Sequence, residues 1–413
     1  MTANYAARGK QIVKKEQPGI SRNKLLVISG TGWMFDAMDV GILSFIIAAI
    51  AVEWQLSPTE MGWVGSVNSI GMAVGALGFG MLADRIGRKN VFMLTLILFS
   101  LASGLSALTT TLTVFLALRF VIGAGLGGEL PVASTLVAES VSAKERGRVV
   151  VLLESFWAAG WLIAALIAYF IIPEYGWRIA LVLTALPAFY AIYLRRNLPD
   201  SPKFERAGKP KQSFGAKIKL IWSKPYARKT TMLWIVWFTV VFSYYGMFLW
   251  LPSVMVMKGF DMIHSFKYVL IMTLAQLPGY FTAAWLIEKT GRKFVLSTYL
   301  LGTAISALTF GNAESLSMLL LSGAFLSFFN LGAWGALYAY SPEQYPTSVR
   351  GTGSGMAAAV GRIGGIFGPL LVGSLVAKGF GFGIIFGIFC GAIIIGVLAV
   401  IILGTETKQL ELE

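Results

Sequence analysis

Twelve apolar stretches alternate with short polar segments along the chain. They fall near 25–53, 61–82, 91–110, 114–140, 149–172, 178–195, 230–256, 268–287, 294–311, 316–340, 352–377 and 380–404. Crossing the ~30 Å hydrocarbon core of a bilayer takes about 20 helical residues, and every stretch reaches or approaches that length. One long polar segment, 196–229, follows the sixth stretch. The pattern predicts an all-α membrane protein of twelve helices. Its two six-helix bundles cover 25–195 and 230–404, with a linker at 196–229 and tails at 1–24 and 405–413.

Composition supports that class. Apolar residues make up 56% of the 413 and charged residues 13%, about half the charged share of a soluble domain. One cysteine, Cys390, and one histidine, His264, argue against a disulfide framework, a metal centre or histidine chemistry. No cofactor is expected. His264 falls in an external loop and is read as incidental. The net charge of +14 has a topological origin. Twenty-eight of the 34 Lys and Arg lie on the side that carries both termini, and four lie on the other. That asymmetry puts both termini in the cytoplasm and makes the charge no sign of nucleic-acid binding. The first stretch is longer than a signal-peptide core of ~7–15 residues and contains two aspartates, so it is read as an uncleaved span.

Two signatures recur at an offset of 204 residues. GMLADRIGRK (80–89) is answered by AWLIEKTGRK (284–293), so that Asp84 maps to Glu288 and Arg88 to Arg292. Glu139 with Arg146-Gly147 is answered by Glu343 with Arg350-Gly351. The halves are therefore parallel repeats related by an axis along the membrane normal, with a binding site between them at mid-depth. The acids and the bases Arg85, Arg88, Arg146, Arg292 and Arg350 sit at cytoplasmic corners. Ion pairs there suit a gate, because acids contribute little to topology.

These motifs, with Leu198-Pro-Asp-Ser-Pro202 after the sixth span, resemble the major facilitator superfamily and its sugar-porter-like branch, near the synaptic vesicle glycoprotein 2 group. GWMFDAMDVGILSFIIAA, RFVIGAGLGGELPVASTLVAE, VFSYYGMFLWLPSVM and GRIGGIFGPLLVG look similar to bacterial niacin transporters. The resemblance implies a monomeric plasma-membrane porter working by alternating access, with a small aromatic acid such as nicotinate as substrate and protons as the coupling ion.

Ionisable residues inside spans are costly and usually face a partner or a cavity. Asp36 and Asp39 lie three apart on one helix face, and two carboxylates at low dielectric can share a proton; a packing or gating role is the alternative for each. Aromatic-acid/proton symporters carry a similar D-x-x-D there. Arg119 heads a stripe with Gly123 and Gly127 and needs a carboxylate such as Asp36 or Asp39; direct substrate contact is the other reading. Glu129 precedes Pro131 and is either a partner or a proton carrier. Glu154, near the cytoplasmic end of its span, is either a gate residue or a coupling residue. Arg362 resembles in position the arginine that organic-anion transporters turn to substrate carboxylates; an ion pair with the first half is its alternative.

The aromatic supply suits a flat ring. Trp157 and Trp161 are four apart, Tyr244 and Tyr245 precede Trp250 and Pro252, and Asn330 shares a face with Trp334. Gln276, two before Pro278, adds an uncharged hydrogen-bonding group. The chain has no G-x-x-x-x-G-K-[ST] fingerprint for ATP-driven transport and no nucleophile–base constellation. A proton-coupled importer of aromatic monoacids is the leading expectation. An exporter or a porter of other organic ions or sugars is the alternative, and a non-transporting receptor ranks last.

Overall fold

The structure, a computed structural model, describes residues 22–86, 88–127, 146–186, 214–346 and 348–408. The first apolar stretches become α1 (Arg22–Glu53), α2 (Pro58–Ile86), α3 (Arg88–Ser106) and α4 (Leu112–Gly127). The fifth and the start of the sixth run together in α5 (Arg146–Leu183). Its course is kinked at Gly176, where φ is 79° and the missing Cβ makes that conformation accessible. A short linker helix, α6 (Phe214–Ile221), precedes the second half.

Prolines shape the next two spans. The seventh stretch splits into α7 (Lys224–Phe248) and α8 (Leu251–Met257), with Pro252 in the first turn of α8. The eighth splits at Ala275 into α9 (Met262–Leu274) and α10 (Gln276–Thr290). Pro278 lacks the N–H that would continue the ladder and crowds the carbonyl four residues back. Then come α11 (Arg292–Gly311), α12 (Leu316–Glu343), α13 (Arg350–Ala377) and α14 (Phe382–Leu403). Asp261 caps α9 and Ser315 caps α12 by accepting backbone N–H bonds, which satisfies donors that an open helix end would leave unpaired.

In the first half α1 packs along α5 and α2 along α4; in the second, α7 packs along α13 and α14, and α11 along α12 and α14. The α2–α4 contact shows why the Arg119 stripe carries glycines. A Cβ on Gly123 or Gly127 would overlap the backbone carbonyls of Asn68 or Met72, so only glycine lets the helices come this close. The halves meet along two seams. One joins α2 to α13; the other brings α9, α10 and α12 against α5. The buried rings of Trp157, Trp161, Tyr244 and Trp334 lie where the halves meet.

Candidate functional site

An aromatic cluster joins the two halves at the centre of the fold. Trp157 and Trp161 occupy one face of α5 because residues four apart share a face. Both are buried, as are Tyr244 and Tyr245 of α7 and Trp334 of α12. Trp157 stacks on Trp334 with centroids 6.1 Å apart and planes at 22°. Its indole N–H also donates to the Tyr244 hydroxyl at 2.7 Å. Tyr244 lies 4.8 Å from Trp334, and Trp161 meets Tyr244 edge-on at 6.2 Å. Such ring pairs contribute about 0.5–1.5 kcal/mol beyond area burial and build walls suited to a flat ring.

At the α2–α13 seam, Arg362 donates to the Tyr245 hydroxyl at 3.0 Å and lies 3.5 Å from the Met72 sulfur. It is 9% exposed. Among the described residues no carboxylate lies within ion-pair distance of it. Such a guanidinium, with a fork of donors and no acceptor, is set up for an anion. On α10 and α12, the helices of the other seam, Gln276 and Asn330 are buried and neither has a hydrogen bond to either side-chain polar atom; the Tyr280 hydroxyl is unpaired as well. Each unpaired buried group costs about 1–3 kcal/mol. Such orphaned groups are uncommon in a native interior and favour a polar ligand.

The buried acids occupy two environments. Asp39 faces Arg119 at 3.2 Å, both fully buried. It also accepts a hydrogen bond from Ser103 at 3.1 Å, and the Ser103 hydroxyl in turn meets that of Thr184. Asp36, one turn away on α1, is buried too. Glu154 is fully buried among aromatic rings, and its Oε2 accepts the Trp33 indole N–H at 3.1 Å. Trp33 touches Trp157 at 5.5 Å and meets Tyr338 of the second half edge-on at 5.9 Å. Sequence reasoning passed over Trp33, Tyr338 and Met72. A signal for the first two was there: Trp33 stands three before Asp36 and Tyr338 four after Trp334, each on the face already singled out. Met72 gives no comparable signal.

At one end of the second half, where α10 meets α11, Arg292 binds Glu288 at 2.8 Å and Glu343 at 3.0 Å. The backbone N–H of Arg148, from the first half, donates to Glu288 at 3.0 Å. Glu406 accepts the backbone N–H groups of Arg292 and Lys293, and the Thr407 hydroxyl donates to Glu343. Arg350 donates to the carbonyl of Pro342 at 3.2 Å. Glu129 and Glu139 lie outside the described residues, as do the side chains of Asp84, Arg85, Arg88 and Arg146.

Residues 31–279 and 268–412 match the profile of the Major Facilitator Superfamily. The chain belongs to this superfamily. It is 68% identical over 399 residues to the putative niacin/nicotinamide transporter NiaP of Bacillus subtilis, covering 97% of this chain and 100% of that one. It is 47% identical over 417 residues to the niacin transporter NiaP of Acinetobacter baylyi, covering 94% and 95%. Among solved structures it resembles the proton:xylose symporter XylE with a TM-score of 0.76 at 20% identity, covering 95% of this chain and 97% of that one. That likeness concerns the fold. This superfamily member is thus a multi-pass membrane transporter, not an enzyme, and its cargo is a small molecule.

Proposed function

We propose that the chain imports niacin across the plasma membrane, as nicotinate and as nicotinamide, by alternating access coupled to protons. The observation that carries the reading is Arg362, a buried guanidinium hydrogen-bonded to Tyr245, whose neighbour Tyr244 packs on Trp334, with no described carboxylate within ion-pair distance. A pyridine carboxylate supplies both partners: a flat ring for the Trp157, Trp161, Tyr244 and Trp334 surfaces, and an anion that a guanidinium binds bidentately. The names of the relatives at 68% and 47% identity support the same cargo.

In this reading the halves 25–195 and 230–404 move against each other around the site, joined by the linker 196–229, with both termini in the cytoplasm. The Arg119–Asp39 pair, Asp36 and Glu154 are candidates for the transported proton, with Glu129 as a further one. The cluster at Glu288, Arg292 and Glu343, and its counterpart at Asp84, Arg85, Arg88, Glu139 and Arg146, hold the cytoplasmic side closed together with Arg350. Uptake of labelled nicotinate, nicotinamide and benzoate by proteoliposomes tests it, with and without a pH gradient. Nicotinate uptake driven by the gradient supports the reading. Benzoate transported in preference to both pyridines would replace niacin with a wider class of aromatic acids.

A further inference from the structure

The two seams between the halves carry polar groups of different kinds. At the α2–α13 seam stands Arg362, whose guanidinium offers donors and a positive charge and accepts nothing. On α10 and α12, which pack against α5 at the other seam, one helical turn before Tyr280 and Trp334 respectively, Gln276 and Asn330 are buried without side-chain hydrogen bonds. Each of those side chains carries one acceptor oxygen and two donor N–H groups. Neither seam can serve both forms of the vitamin equally.

Nicotinate carries a carboxylate, which only accepts. Beside Gln276 and Asn330 its charge would find no cation, and the carboxyl of Glu154 stands on α5 at that same seam. Nicotinamide carries a carboxamide, which both donates and accepts. Beside Arg362 its N–H groups would face further donors. Beside Gln276 and Asn330 it meets its own complement, and reciprocal amide–amide bonds would pair groups that are otherwise orphaned.

We infer that the site binds the two forms in opposite orientations, with the nicotinate carboxylate on Arg362 and the nicotinamide carboxamide on Gln276 and Asn330. This rests on the niacin reading above and adds to it which residues discriminate acid from amide. The pyridine ring occupies the same aromatic walls in both cases, because ring stacking tolerates either direction. One site then accepts an anion and a neutral amide without a compromise for either.

Equilibrium binding of labelled nicotinate and nicotinamide to the purified full chain tests the inference. Arg362→Gln is expected to weaken nicotinate by roughly tenfold or more, as for loss of a charged hydrogen bond, and to leave nicotinamide within about threefold. Gln276→Leu and Asn330→Leu are expected to do the reverse. Parallel losses of both ligands in every variant would overturn the two orientations while leaving niacin as the cargo. A wild-type chain that binds neither compound would overturn both readings. Should a variant fail to fold, N,N-dimethylnicotinamide probes the unmutated protein, because it keeps the ring and carbonyl and removes both amide donors. It should bind roughly tenfold more weakly than nicotinamide; equal binding would overturn the inference.

Discussion

The indole N–H of Trp33 donates to Glu154 Oε2 across 3.1 Å, and the same Trp33 ring meets Tyr338 of the opposite half edge-on. One side chain thus anchors a buried acid and touches both halves beneath the Trp157–Trp334 stack. Truncation should affect both connections. Trp33→Phe keeps much of the ring surface and removes the donor, so it should cost about 1–3 kcal/mol, the price of an unpaired buried acceptor. Glu154→Gln retains an acceptor oxygen and should cost less. In thermal denaturation of the purified protein, the Trp33→Phe and Glu154→Leu pair should show non-additive losses. Strict additivity would mean that the contact stabilises nothing.

Asp39 and Arg119 are fully buried together, and each offsets the cost of burying the other. Asp39→Asn leaves the guanidinium with a neutral partner and should destabilise by up to about 3–5 kcal/mol, whereas removing both charges with apolar residues should restore much of that loss. If Asp39 also carries the transported proton, the Asn variant will exchange labelled substrate across the membrane without concentrating it. Counterflow and gradient-driven uptake, measured on the same vesicles, separate the two functions. Asp39→Asn and Asp36→Asn vesicles that both still concentrate substrate normally would move the proton site to Glu154 or Glu129.

Much of this architecture is readable from the sequence because hydropathy acts locally. Each apolar stretch became a helix wherever the structure describes it, and Pro252 and Pro278 mark where the seventh and eighth spans break. The run of α5 through the turn between the fifth and sixth stretches is harder to foresee, since it depends on the backbone of a single residue, Gly176. The site is only partly readable. Helical spacing puts Trp157 with Trp161 and Asn330 with Trp334, yet nothing in the spacing of Asp36 and Asp39 says which one Arg119 meets. That choice is made by tertiary packing across 80 residues of sequence. The role of Trp33 as a partner of Glu154, 121 residues away, has the same origin.

The Glu288–Arg292 cluster, on the side proposed to be cytoplasmic, gives a conformational prediction. Glu288 accepts the Arg148 backbone N–H from the first half while it holds Arg292. Glu288→Ala should therefore weaken closure on that side and favour inward-open states. With Cys390 replaced by Ala and one reporter cysteine placed facing the cytoplasmic cavity, the maleimide labelling rate should rise roughly fivefold or more, as for a bias of at least 1 kcal/mol. An unchanged rate would show that this bond does not contribute to closure. The same assay on Asp84→Asn tests the counterpart cluster and should show a shift in the same direction.

Flux measures the central claim most directly. Purified protein reconstituted into liposomes should accumulate labelled nicotinate above the external concentration when the outside is acid. The accumulation should collapse when a protonophore dissipates the gradient. Nicotinate that enters only to equilibrium under either condition would contradict proton coupling, and vesicles no more permeable to nicotinate or nicotinamide than protein-free liposomes would contradict niacin transport itself.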